Sequence, residues 1–329
     1  MGDIILTTPV VESLKKEFSP AKVDVMVAPA GRDLFKGYDG VRDIIIYNKK
    51  SSLFSKLALF GRLFKKRYSL VVDLRNTVLP VILGAPYITN PFRHGPKPRI
   101  HKKDAHLGRL EEIGIGVSGA NFNIPVREED ESRVERLLGE IKGGTYVVVS
   151  PGAKSHVKRW HLKRFARLCD IIKQDLGYEV VLVGDEFDRV VVSRLLFYMT
   201  AKPVNLSEKT NIRELAYLIK MSALLITNDS APLHVGSAVD AKILAFFGPT
   251  DDKKYGPLSR NSTRVLRENL PCAPCEAAQC VNPKNKYECL KNISVDRALG
   301  AVRELLKENT NTDAREIRNS RFEIRTDRI

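Results

Sequence analysis

Residues 146–160 read Tyr146-Val147-Val148-Val149-Ser150-Pro151-Gly152-Ala153-Lys154-Ser155-His156-Val157-Lys158-Arg159-Trp160. The first five form an apolar, β-branched run stopped by Pro-Gly, the pattern of a strand buried on both faces. His161–Leu176 follows as an amphipathic helix. A strand, a glycine turn and a helix start bring backbone N–H groups and lysines to one point, which is what a diphosphate requires. The stretch is neither a P-loop nor a G-x-G-x-x-G fingerprint, and it reads equally as a βα loop with solvated lysines.

Downstream the alternation continues: strand Glu179–Gly184, helices Asp188–Met199 and Ile212–Lys220, strand Ala223–Thr227, helix Leu233–Val239 and strand Lys242–Gly248. Parallel strands joined by right-handed crossovers imply an α/β, doubly wound sheet. Upstream, Pro9–Phe18 reads as a helix and Lys22–Val27, Asp43–Ile46 and Leu70–Asp73 as strands, while residues 84–106, rich in Pro and Gly, read as loop. A charged helix, Glu128–Glu140, ends at Lys142-Gly143-Gly144, which marks a join. The expected organisation is therefore domains at 1–140 and 141–308, with a polar, basic tail at 309–329.

The 329 residues suffice for two cores, and no apolar run of about 18 residues is available for a membrane span. Lys and Arg number 54 against 39 Asp and Glu, a net charge of +15 that favours an anionic partner. Fourteen of the basic residues lie between Lys49 and Arg109, where only Asp73 and Asp104 oppose them. Phe54, Phe60, Phe64 and Tyr68 in that stretch are spaced like the apolar stripe of a helix and read as core. Neither regularly spaced stacking aromatics nor one long basic helix is evident, which argues against nucleic acid as the partner. Met1-Gly2-Asp3 lacks the features of a signal peptide, so a cytoplasmic location is expected.

Two further strand ends carry polar groups. After Ala223–Thr227 comes Asn228-Asp229-Ser230-Ala231-Pro232-Leu233-His234, whose polar trio suits a helix cap and whose Pro suits a first turn. After Glu179–Gly184 comes Asp185-Glu186, placed to accept hydrogen bonds from ribose hydroxyls or simply to start a helix.

Gly2-Asp3 with Thr7-Thr8-Pro9, Pro151-Gly152-Ala153 with Lys158-Arg159-Trp160, Asn228 to His234, and Phe247-Gly248-Pro249-Thr250 with Gly256-Pro257 together resemble, in order and spacing, glycosyltransferase family 9, the bacterial lipopolysaccharide heptosyltransferases. The resemblance implies a GT-B architecture: two Rossmann-like domains facing across a cleft, with acceptor on the first and nucleotide-sugar on the second. It implies an inverting transfer of heptose from ADP-heptose to the lipopolysaccharide inner core, with no metal or other cofactor. Asp3 matches the catalytic base and Lys158 the lysine facing the donor diphosphate. Lys154, Asp229, Ser230, Ala231 and His234 match the donor loops, and Glu186 the ribose-binding acid. Thr7, Thr8, Arg99, His101 and Lys102 fall to a phosphorylated lipid A–Kdo acceptor. An anionic inner-membrane surface is a further implied partner, giving peripheral attachment on the cytoplasmic face.

Family members carry a hydrophobic strand before the Gly-Asp pair, whereas here Met1 precedes Gly2, so an N-terminal sheet missing its first strand is expected. Two other readings follow: a nucleotide-sugar or acceptor-binding relative without catalysis, and a basic nucleic-acid-binding protein. Cys272, Cys275, Cys280 and Cys289 form C-x2-C-x4-C-x8-C, a spacing open to structural zinc but looser than paired knuckles. Many relatives have a similar loop and catalyse without metal.

Overall fold

The structure, a computed structural model, describes residues 1–91 and 99–307, so the basic tail expected at 309–329 lies outside the described residues. The chain divides into two units, Met1–Pro125 with Lys253–Tyr255, and Val126–Asp252 with the residues from Gly256 onward.

In the first unit β1 (Val23–Val27) pairs in parallel with β2 (Val41–Ile46), and β3 (Leu70–Val71) with β4 (Tyr87–Ile88). Among the described residues these are two separate two-stranded sheets. Residues Gly2–Ile5 form one helical turn, and the helix Thr8–Glu17 follows. That helix packs Val10 against Leu107, Leu110 and Ile115, the first two from the helix Lys102–Glu111. A second small core joins Ile45 of β2 to Leu63 of the helix Leu53–Lys65 and Leu83 of the helix Leu79–Leu83. Asp24 of β1 has a buried carboxylate that accepts from Arg42 at 2.8 Å, Lys66 at 2.9 Å and the Tyr68 hydroxyl at 2.8 Å. Burial opposes the charge, but these three donors together hold the Asp24 carboxyl well below the ordinary carboxylate range.

Three expectations for this unit need correction. The segment 84–106 is not all loop: it holds β4 and the start of the helix Lys102–Glu111, whose first turn is capped by His101 Nδ1 accepting from the Lys103 N–H at 3.1 Å. A two-residue strand is too short to show a period, and histidine is an uncommon cap. Phe54 and Phe64 are exposed, not core, because the helix turns Leu59, Phe60 and Leu63 inward instead. The division between units lies at Pro125, not at 140. The helix Glu128–Leu138 belongs with the second unit, where Arg213 Nε donates to Asp130 Oδ2 at 2.8 Å and Arg133 pairs with Glu214 at 3.0 Å.

The second unit continues with β5 (Tyr146–Ser150), β6 (Glu179–Leu182), β7 (Val204–Asn205), β8 (Leu224–Asn228), β9 (Ile243–Phe246) and β10 (Thr263–Leu266). They form one parallel sheet in the order β10-β9-β8-β5-β6-β7. Counted from β5 this is the Rossmann order 3-2-1-4-5-6. β5 and β8 are buried at every residue, which is why their sequences run apolar without alternation. The helices Leu162–Gln174, Arg189–Tyr198, Ile212–Lys220 and Ala231–Ala238 alternate with the strands, and a last helix over 295–307 adds Ala298, Val302 and Leu305 to the core. Trp160 sits at the centre of that core, stacked on Phe246 with ring centroids 4.2 Å apart, its indole N–H donating to the Ile293 carbonyl at 3.0 Å. Among the described residues no helix is long and apolar enough to cross a membrane.

Candidate functional site at the switch point of the second sheet

In this strand order the chain runs outward in opposite directions from β5 and from β8, which are neighbours. A crevice opens outside the carboxyl ends of two strands at such a point, and it is where doubly wound sheets take ligands. The loop 151–161 leaves β5 there, and the helix Ala231–Ala238 starts there after β8.

Asn228, the last residue of β8, ties the two together. Its side chain accepts from the Trp160 N–H at 2.9 Å and donates to the carbonyls of Pro151 at 2.9 Å and Gly152 at 3.3 Å. Arg159 folds back on the same loop, its guanidinium donating twice to the Ala153 carbonyl, at 2.8 and 2.6 Å. On this rigid frame Lys158 Nζ meets Asp229 Oδ2 at 2.7 Å, the carboxylate only 6 % exposed and the lysine 33 %. Lys158 and Asp229, expected on separate motifs, are thus brought together. Ser230 takes extended backbone at the cap of the helix Ala231–Ala238, its hydroxyl 3.1 Å from that of Thr227. Ala231 opens the helix and His234 is buried one turn in. A helix start, a lysine and fixed backbone amides at one crevice are equipped to receive an anion.

Lys154 and Glu186 are exposed on the loops following β5 and β6. Asp185 does begin a short turn, its carboxylate accepting from the Phe187 N–H at 3.0 Å. Asp188 was not singled out in the sequence, yet it lies against Gly152: a Cβ on Gly152 would fall 2.0 Å from Asp188 Oδ1. Burial, and after it the charge of Asp185, raises the Asp188 carboxyl above its ordinary range. The signal for it was indirect, since only a glycine admits so close a neighbour at that loop position.

In the first unit, Asp3 is exposed in the helical turn Gly2–Ile5. Thr8 is fully buried; its hydroxyl donates to the Ile5 carbonyl at 2.9 Å and accepts from the Asn123 N–H at 3.2 Å, so Thr8 is a structural residue and not an acceptor contact. Thr7 is half-buried and donates to the Ile4 carbonyl at 2.7 Å. Arg99 is exposed, Lys102 half-buried, and His101 serves as the helix cap. His106, unremarked in the sequence, is buried with no hydrogen-bond partner on Nε2 among the described residues. Burial, and after it the charge of Lys102, pushes its imidazole down to about 4, with Asp3 acting in the opposite sense. The ring is therefore neutral at neutral pH.

Cys272, Cys275, Cys280 and Cys289 are free thiols lining one small cavity with Val157, and Cys280 Sγ accepts from the Tyr287 N–H at 3.2 Å. Burial, then the neighbouring Cys280, Cys275 and Cys272, pushes the Cys289 thiol up to about 11. Among the described residues no three or more ligand-type side chains are grouped to hold a metal ion, so the zinc expectation gains no geometric support.

A family model for glycosyltransferase family 9 (heptosyltransferase) matches residues 116–286. The chain is 30% identical over 287 residues to lipopolysaccharide heptosyltransferase 3 of Escherichia coli, covering 79% of this chain and 84% of the relative. The glycosyl transferase family 9 structure from Veillonella parvula matches with a TM-score of 0.78 at 23% identity, over 93% of this chain and 94% of that one. The structure of E. coli ADP-heptose LPS heptosyltransferase II matches with a TM-score of 0.75 at 21% identity, over 94% and 96%. At those identities the structural likeness speaks for the fold alone.

Proposed function

The chain belongs to glycosyltransferase family 9, the heptosyltransferase family, and on that premise we propose that it moves heptose from ADP-heptose to the inner core of lipopolysaccharide, with inversion and without a metal. The observation that carries this reading is the Lys158–Asp229 pair at the switch point of the second sheet, 2.7 Å apart beside a helix start. An incoming diphosphate is a better partner for Lys158 than a single carboxylate, because it offers more charge and more acceptor oxygens.

In the proposed reaction a hydroxyl oxygen of the acceptor attacks the anomeric carbon, Asp3 takes the hydroxyl proton, and the bond from that carbon to the β-phosphate oxygen breaks. ADP leaves with the electron pair, and Lys158 offsets the charge that develops on it. Ser230, Ala231 and the buried His234 frame the donor, with Asp229 released from Lys158 to meet it. Lys154 and Glu186 reach the nucleotide, the latter at the ribose. A phosphorylated lipid A–Kdo acceptor is met by the first unit through Thr7, Arg99, His101 and Lys102. The reading places the protein in the cytoplasm, peripheral to the inner membrane.

The full chain, given ADP-heptose and a lipopolysaccharide acceptor lacking heptose, is expected to release ADP only when both are present. Equal release of UDP from a UDP-sugar, or ADP release that ignores the acceptor, contradicts the proposal.

A further inference from the structure

The loop 151–161 borders a second space besides the crevice. Lys158 meets Asp229, whereas its neighbours His156, Arg159 and His161 line a cavity of about 120 Å³ together with Lys291, from the short helix Glu288–Lys291. Neither Lys158 nor Asp229 lines it; Tyr287, Val157 and Leu290 complete the wall. Four basic side chains thus share a space that no carboxylate lines among the described residues. The volume has room for several waters or for one tetrahedral oxyanion.

Most of these donors are fixed in place. Arg159 commits Nε and Nη2 to the Ala153 carbonyl, at 2.8 and 2.6 Å, which leaves Nη1 without a hydrogen-bond partner among the described residues. Tyr287 holds a left-handed backbone with φ 64°, its N–H donating to Cys280 Sγ at 3.2 Å. Its hydroxyl lies 3.3 Å from His156 Nε2, and the two rings meet edge-on. Lys291 Nζ stands 6.0 Å from the centre of the same tyrosine ring and pairs with no carboxylate among the described residues. The His161 side chain makes no cap hydrogen bond to the helix Leu162–Gln174 that follows it. Burial, and after it the charges of Arg164, Lys163 and Lys291, lowers the His161 imidazole below the ordinary histidine range. The cations therefore repel one another, and an anion among them would relieve that repulsion. A carboxylate would offer one charge and two oxygens, whereas a phosphoryl group offers up to two charges and enough oxygens for donors arriving from several sides.

We propose that this cavity is a second anion site, which takes a free phosphoryl group between the loop carrying Lys158 and the helix Glu288–Lys291. The site goes beyond the transfer reaction and does not rest on it, since its lining is separate from the Lys158–Asp229 pair. Calorimetry of the full chain at low salt, with inorganic phosphate and separately with glucose 6-phosphate, tests it, and the tighter ligand names the source. Saturable binding is expected that falls with added salt and that Lys158→Ala leaves in place. Lys291→Gln with His161→Gln is expected to weaken it about tenfold or more through the loss of two charged donors. That variant should not lower Tm, because both side chains are exposed. Proton spectra of the histidine rings give a second readout. Phosphate is expected to move the C2–H signals of His156 and His161, assigned through His156→Gln and His161→Gln, and to raise the pH at which His161 titrates. The absence of saturable binding, its loss in Lys158→Ala, or full binding by the Lys291/His161 variant overturns the proposal.

Discussion

Replacing Lys158 by alanine is expected to lower turnover with ADP-heptose by about 10²–10³-fold, the loss seen when one preorganised donor to a developing charge is removed. The effect has two parts. The ammonium no longer offsets charge on the departing diphosphate, and Asp229, whose carboxylate is 6 % exposed and 2.7 Å from Lys158 Nζ, is left as an unpaired negative charge beside the same phosphates. ADP affinity should fall as well, by about 1–3 kcal/mol for a lost charged hydrogen bond. Calorimetry with ADP and a turnover assay on the same full-length variant separate the two parts. Unchanged affinity together with unchanged turnover would remove Lys158 from the site and take the switch-point assignment with it.

Asp3→Asn is expected to lose about 10²–10⁴-fold in turnover, the range that general-base catalysis supplies. A sugar hydroxyl is too weakly acidic to attack at neutral pH unaided, and an amide cannot take its proton. Donor affinity should stay near the native value, because Asp3 belongs to the first unit while Lys158 and Asp229 belong to the second. A purely structural Asp3 would behave differently. It stands in the first turn of the short helix Gly2–Ile5, where a carboxylate favours the helix dipole, and its loss would then lower Tm slightly with little change in rate. Full turnover in Asp3→Asn would refute its role as base.

The second unit was legible in sequence because its central strands are buried on both faces. Tyr146–Ser150 and Leu224–Asn228 announce themselves as largely apolar runs ending in Pro-Gly or polar signals. The helix Ile212–Lys220 stands where its period puts it, with Asn211 and Glu214 forming a capping box. The edge strands Val204–Asn205 and Thr263–Leu266 escaped notice, since a short edge strand carries too few residues to show a pattern.

The first unit reads less well for a related reason. β1, β2 and β3 stand where apolar runs were read, but β4 has only two partly exposed residues, too few to show a period, so tertiary contacts decide it. Phe54 and Phe64 illustrate the limit: spacing says that a helix has an apolar stripe, but not whether protein or another medium covers it. At the site, Lys158 and Asp229 were found through local motifs, whereas Asp188 was not, because its tie to Gly152 is a contact across the fold. Thr8 was misread since a threonine hydroxyl at a helix start serves its own backbone as readily as a ligand.

Mass spectrometry of a heptose-free lipopolysaccharide acceptor, after incubation of the full chain with ADP-heptose, tests the transferase reading most directly. The expected product is an acceptor heavier by one heptose residue, accompanied by an equal amount of ADP. Its new anomeric centre is expected to be opposite in configuration to that of the donor. An acceptor of unchanged mass while ADP-heptose binds tightly would contradict it, leaving a nucleotide-sugar-binding protein without transfer.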